Sequence, residues 1–207
     1  MDCSAWQGRV PAEVFARLKA EHGVEEFIPQ IWGGGPQGIG ANPYLEDQVR
    51  AALEAGLRVV RAYVWPPAAA ADAIGYWEIT LPDVRIRRIV LDVEAGTRLT
   101  LADVQRVRIN RYIPEIYTAY GEWERLMADT PWYASFAISG VELWAAWYPA
   151  REWDGAWPES LDELLGSRWV PRPWQGKPEL IVGWQFAGTV NVAGSAFDLN
   201  IFRRVNG

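Results

Sequence analysis

Residues 88–96 read RIVLDVEAG, and two carboxylates, Asp92 and Glu94, stand two positions apart in a run otherwise suited to a buried strand. Burying one unpaired carboxylate is costly, and a neighbour of like charge adds to the cost. A pair kept in such a place is either split between two surfaces or does chemistry. Acids that crowd together raise one another's pKa, which keeps a carboxyl protonated near neutrality so that it can act as a general acid. A second case stands in SAFDLNIF, where Asp198 and Asn200 share one strand face and Phe197, Leu199 and Ile201 share the other. Asp2, with Ser4 on its face, is a third. The competing role for these acids is structural, capping loops or pairing with arginines such as Arg61 and Arg88. A carboxylate-only magnesium or calcium site is the other alternative, but no calcium-loop spacing is present, and neither a metal nor a cofactor is expected.

Such acids need strands to hold them. Asp2 to Gln7 reads as a short first strand, followed by a helix opened by Pro11, with Val14, Phe15 and Leu18 on one face and Gly23 after its end. Glu26 to Trp32 is a second strand, and GGGPQGIG after it reads as a flexible loop on the active-site side, whose glycine spacing does not match a phosphate-binding fingerprint. Asn42-Pro43 is expected to cap and start the next helix, and Gly56 to close it. Leu57 to Trp65 is the third strand, AAAADAIGYW a helix, and Ile86 to Glu94 the fourth strand. Thr100 caps a helix to about Asn110, Pro114 to Ala119 is the fifth strand, and 122–128 is helical. Val141 to Tyr148, Leu180 to Phe186 and Ala196 to Phe202 then read as strands without long helices between them, and the connection over 151–178 as a long loop with a short helix at 161–165. Alternating units build parallel sheets, so the expected class is α/β: one flattened, TIM-barrel-like β/α barrel, with five β-α units followed by three strands. In that frame Val90, Asp92 and Glu94 face inward near the C-terminal end of a strand, where such barrels carry their sites, while Ile89, Leu91 and Val93 pack on the helices.

The totals narrow the function. A net charge of -6 over 207 residues gives no basic footprint, which argues against nucleic acid as a partner. One cysteine, Cys3, excludes an internal disulfide and any multi-cysteine metal site, and the lone His22 sits at a helix end beside Gly23. No apolar run reaches transmembrane length and no basic-then-apolar leader opens the chain, so synthesis in the cytoplasm without a signal peptide and no membrane partner are expected. Thirteen tryptophans exceed what core packing readily explains, and flat aromatic faces also stack on sugar rings.

Six blocks in order, DCSAWQG, LDVE, IYT (116–118), LWAAWY (143–148), GWQF (183–186) and FDLN, span nearly the entire chain. Together they resemble the family-25 glycoside hydrolases, the retaining lysozymes that cut peptidoglycan on a barrel of five β-α units and three further strands. The resemblance implies that Glu94 is the general acid/base and that Asp92 orients or stabilises the substrate's acetamide. A covalent and a substrate-assisted intermediate both fit that scheme. It further implies that Asp198 and Asp2 complete the acidic cluster and tune Glu94, and that Tyr63, Tyr117, Trp144 and Trp184 line the sugar groove. The chain departs from the family's pattern where strand three ends in YVWPP, where glycines follow Trp32, and where the 151–178 loop carries Trp153, Trp157, Trp169 and Trp174.

The implied whole is a single catalytic domain over 1–207 without a separate wall-binding module. It would act as a monomer on peptidoglycan glycan strands of the bacterial cell wall, as a phage lysin released by a holin or a wall hydrolase exported by another route. Two readings compete with it: a carbohydrate-binding barrel without turnover, and a related glycosidase for another N-acetylated glycan.

Overall fold

The computed structural model describes residues 1–148, 158, 161 and 169–203. Nine strands form its sheet: β1 (Asp2–Cys3), β2 (Ile28–Gly35), β3 (Gly38–Ala41), β4 (Arg61–Val64), β5 (Arg88–Asp92), β6 (Ile113–Ala119), β7 (Glu142–Ala146), β8 (Ile181–Val192) and β9 (Ser195–Phe202). The order is β1-β9-β8-β7-β6-β5-β4-β2, and parallel pairing of β1 with β2 closes the ring, so the expected barrel is present. Neighbours pair in parallel from β1 through β2 and β4 to β8, whereas β9 runs antiparallel to both β8 and β1. Outside the ring lie α1 (Ala12–His22), α2 (Leu45–Glu54), α3 (Ala70–Thr80), α4 (Leu101–Ile109), α5 (Tyr120–Met127) and α6 (Ser135–Ile138). Among the described residues no helix is long and apolar enough to cross a membrane.

Local signals explain several element ends. Gly23 takes φ 67° and closes α1 by donating its N–H to the Leu18 and Lys19 carbonyls. Thr100 and Asp103 form a reciprocal capping box at the start of α4. The start of α2 differs from expectation. Tyr44 occupies the cap position, and the buried Asn42 amide instead donates to Gln30 O and Gln48 Oε1, each at 3.0 Å. Asn42 therefore ties α2 to the inner end of β2.

Two segments depart further. The first strand stops at Cys3, because Ser4 caps a 3-10 turn over Ala5–Gln7 with Gln7 completing a capping box. GGGPQGIG is no flexible loop: Trp32 to Gly35 pair with Gly38 to Ala41 in a β2–β3 hairpin turned through Pro36 and Gln37. Gly33 and Gly35 serve close approach, since a Cβ on Gly35 would lie 2.8 Å from the Ala5 Cβ and one on Gly33 would meet the Gln30 side chain. Positions 162–165 of the short helix expected at 161–165, with Trp153 and Trp157, lie outside the described residues.

Strand alternation sorts the side chains. Ala62, Val64, Ile89, Leu91, Ile116, Leu143, Ala145 and Leu199 belong to the core between sheet and helices. Inside the ring, Ile28, Val90 and Trp144 pack with Tyr63, Tyr117 and Phe202 in a separate apolar layer. Gly183 is obligatory for that layer: a Cβ there would stand 2.2 Å from the Phe202 ring.

At the N-terminal end of the parallel strands, this layer covers a buried ion cluster. Arg61 donates to Glu26 at 2.8 Å and to Glu115 at 2.9 Å, and lies 3.8 Å from the Phe202 ring centroid. Arg88 donates to Glu115 at 2.5 Å and also to Glu142. Burial pushes the Glu115 carboxyl up, while the two guanidinium groups pull it back down. Removing one partner of a buried pair leaves uncompensated charge. Glu115→Gln, which keeps the shape and deletes the charge, is therefore expected to lower the unfolding free energy in urea by about 3–5 kcal/mol. A loss under about 1 kcal/mol, as for a surface pair, would show that the cluster contributes little to stability.

Candidate active site

The opposite end of the barrel interior carries the acids. On β5 the inward face runs Arg88, Val90, Asp92, so a single strand joins the ion cluster, the apolar layer and the mouth. Ladder bonding continues one residue past the strand, with the Val93 N–H donating to Tyr117 O at 2.9 Å. Glu94 follows on a turn whose carbonyl accepts from Thr97 N at 3.0 Å, Thr97 Oγ1 at 2.8 Å and Trp65 Nε1 at 3.3 Å. Ala95 then takes φ 50°, a conformation that costs a non-glycine residue roughly 1–2 kcal/mol. The backbone beneath the Glu94 carboxyl is thus pinned on both sides.

Asp2 and Asp198 are direct partners across the antiparallel β1–β9 pair. Asn200 donates to Asp2 Oδ2 at 2.7 Å, and the Gln185 amide donates to Asp198 Oδ2 at 3.1 Å and to Asp2 Oδ2 at 3.4 Å. The Gln185 carbonyl oxygen accepts from the hydroxyls of Tyr117 and Tyr148. One amide thereby uses both donor hydrogens and both acceptor lone pairs, which fixes its orientation.

Burial governs the electrostatics. It drives Asp92 well above the usual carboxylate range, with the charges of Glu94 and Asp2 adding to it. Glu94 is also raised, by burial first and then by the negative charges of Glu122 and Asp198. Asp2 is raised to about 8 by burial and by Asp198. Proximity therefore does not leave Asp92 simply ionised beside a protonated Glu94, because burial presses harder on Asp92, which is only 5% exposed. Arg61 and Arg88 do not relieve it; both are held by glutamates at the far end.

These groups line a cleft of about 300 Å³ bounded by Asp2, Tyr63, Asp92, Glu94, Tyr117, Trp144 and Asp198, with Gln30, Gln185, Trp6 and Trp65. No Lys or Arg is among its described lining residues. Trp144 forms part of the floor, edge-on to Tyr117 at 4.8 Å. Trp184 does not belong to the cleft. Its side chain points out of β8 into the helix-side core, stacks on Trp147 at 5.5 Å and donates its N–H to Trp147 O. Gln185, the next residue along the strand, takes the inward position instead. Asp92 Oδ1 and Asn200 Oδ1 are buried without a hydrogen-bond donor among the described residues. Among these residues no group of three or more His, Cys, Asp or Glu side chains could hold a metal ion.

Sequence reasoning missed Gln185, Gln30, Trp6 and Trp65. For Gln185 the signal was available: alternation along β8 sets Gly183 and Gln185 against Trp184 and Phe186, and the glycine facing Phe202 marks the inner face.

No family model matches the sequence, and no curated protein matches it. Among solved structures, the chain is similar to the Clostridium perfringens spore cortex lytic enzyme SleM. The TM-score is 0.58 at 17% identity, over 99% of this chain and 67% of that one. The likeness is one of fold.

The raised pKa of Asp2 has a consequence for folding. Its carboxyl keeps a proton in the folded state that the unfolded chain has already lost, so stability is full below the ordinary carboxylate pKa and falls as pH rises toward about 8. Thermal unfolding of the wild type should therefore decline between about pH 5 and about pH 8 more steeply than that of Asp2→Asn. Parallel curves for the two proteins would place the proton elsewhere.

Proposed function

We propose that the chain is a glycoside hydrolase of the bacterial cell wall, cutting the β-1,4 bond between N-acetylmuramic acid and N-acetylglucosamine with retention. The observation that carries this reading is the acid pair Asp92 and Glu94, both raised in pKa, at the mouth of a barrel whose described cleft lining holds no cation. The fold likeness to a spore cortex lytic enzyme supports it, as do the six ordered sequence blocks that resemble the family-25 lysozymes. On the same reading the barrel is the five β-α units and three strands of that family.

In the resting site, burial and neighbouring negative charge raise both carboxyls, so the pair holds on to a proton. A substrate acetamide whose N–H donates to the Asp92 carboxyl draws negative charge onto Asp92, leaving the proton on Glu94. Glu94 then protonates the glycosidic oxygen as the acetamide carbonyl oxygen attacks the anomeric carbon, and the aglycone leaves. The positive charge developing on the acetamide faces ionised Asp92, which stabilises it. In the second half, Glu94 takes a proton from water, the water oxygen attacks the anomeric carbon, and the acetamide is released. Two inversions give net retention. Asp198, held by Gln185, adds negative charge that helps to keep Glu94 protonated, while Asp2, held by Gln185 and Asn200, keeps its own proton up to about pH 8.

Glu94→Gln is expected to reduce the release of reducing sugar from purified peptidoglycan by roughly 10²–10⁴-fold, with an unchanged circular dichroism spectrum. Equal release by both proteins would remove Glu94 from the acid/base role. The pH profile provides a second check. The Glu122 charge helps to raise Glu94, so Glu122→Gln lowers the pKa of the acid and moves the alkaline limb of kcat/KM to lower pH. An unmoved or raised limb would assign that limb to another group.

A further inference from the structure

Beside the acid pair the cleft runs onto two tryptophans that the catalytic scheme leaves unused. Trp6 is 66% exposed, an unusual position for an indole, whose apolar surface gains by being covered. A rigid turn presents it. Trp6 N donates to Ser4 Oγ at 3.2 Å, and Ser4 N donates to Gln7 Oε1 at 2.7 Å. The turn is anchored from behind, where the Gln48 amide donates to Ser4 O at 3.1 Å and Gly8 O at 2.7 Å, and Ala5 N donates to Gln30 Oε1 at 3.1 Å. A backbone fixed this way reduces the conformational freedom lost when a ligand covers the indole.

Across the cleft, Trp65 is fixed to the acid itself, through its N–H to the Glu94 carbonyl at 3.3 Å. Between the two rings lies Gly34 of the β2–β3 hairpin. A Cβ built on it would stand 3.9 Å from Trp6 Nε1 and 3.9 Å from Trp65 Cζ3. The position is therefore bordered by both indoles, and the absence of a side chain keeps the space between them open. The C–H bonds on one face of a pyranose ring offer an apolar, weakly positive surface that suits the negative face of an indole.

We propose that Trp6, Gly34 and Trp65 form a saccharide-stacking subsite that takes the pyranose ring adjoining the one held over Asp92 and Glu94. This rests on the glycosidase reading of the cleft. The ring it takes is uncharged, because the described lining supplies four carboxylates and no Lys or Arg to meet an anionic sugar. An N-acetylhexosamine fits this description.

Fluorescence titration with N-acetylglucosamine trimers and tetramers tests the subsite, using Glu94→Gln protein so that turnover does not consume the ligand. Oligosaccharide is expected to quench tryptophan emission. Adding Trp6→Ala, or Gly34→Leu to fill the space between the rings, should weaken binding about tenfold each. Trp6 lies on the surface, so its variant should also keep the parent's thermal unfolding. Absence of quenching in the parent, or unchanged affinity in both variants, overturns the subsite. Peptidoglycan hydrolysis by the otherwise wild-type chain separates the two readings. Trp6-dependent binding without any hydrolysis sustains the subsite and removes the hydrolase. Hydrolysis with KM unchanged in Trp6→Ala and Gly34→Leu removes the subsite and leaves the hydrolase.

Discussion

Glu115 accepts hydrogen bonds from two guanidinium groups, Arg61 and Arg88, inside the closed sheet, and this buried contact governs where the remaining charges can act. The two arginines that alternation points into the barrel are engaged there, with Glu26 and Glu142 taking their other contacts. The apolar layer of Ile28, Val90, Trp144 and Phe202 then stands between that cluster and the mouth. Carboxylates beyond this layer are buried without a compensating cation among the residues lining the cleft, so their pKa values rise. Segregation of charge along the barrel axis, rather than any single acid, gives the mouth its chemistry. A lysine or arginine moved across the layer would pull the same carboxyls down and ionise them.

Gln185 gives this potential a fixed geometry. An amide neither gains nor loses a proton in the ordinary pH range, so it can link two acids and two phenols without taking part in their titration. Its N–H groups face Asp2 and Asp198 while its oxygen faces Tyr117 and Tyr148. A carboxylate in its place would offer no permanent donors and would add like charge to a crowded site. A neutral, fully hydrogen-bonded amide therefore holds Asp2 and Asp198 in place without adding to their charge.

Much of this frame was readable from residue order. The period-two pattern around Asp92 assigned the inward face of β5 correctly, and Gly23 and the Thr100–Asp103 pair marked helix ends that the structure reproduces. What escaped depended on contacts between distant segments. The run of glycines after Trp32 resembles a flexible linker until one sees Ala5 pressed against Gly35 and the Gln30 side chain against Gly33. The resemblance put Trp184 in the groove, but a matching block carries residue type and not strand face. The glycine beside it, read against Phe202 from another strand, supplies that face. Trp6 was hidden for a related reason: a strand continued to Gln7 misses the turn at Ser4 that turns this indole toward solvent.

The ring is closed by β9, which enters between β8 and β1 against the direction of both. The bond from Asn200 to Asp2 spans 198 positions, so the environment of β1 exists only once β9 has docked beside it. The parallel strands and their helices can pack in sequence, but the acids at the mouth keep contact with water until the β8–β9 hairpin docks. The altered acidity of the mouth therefore arrives in one step, as the sheet shuts.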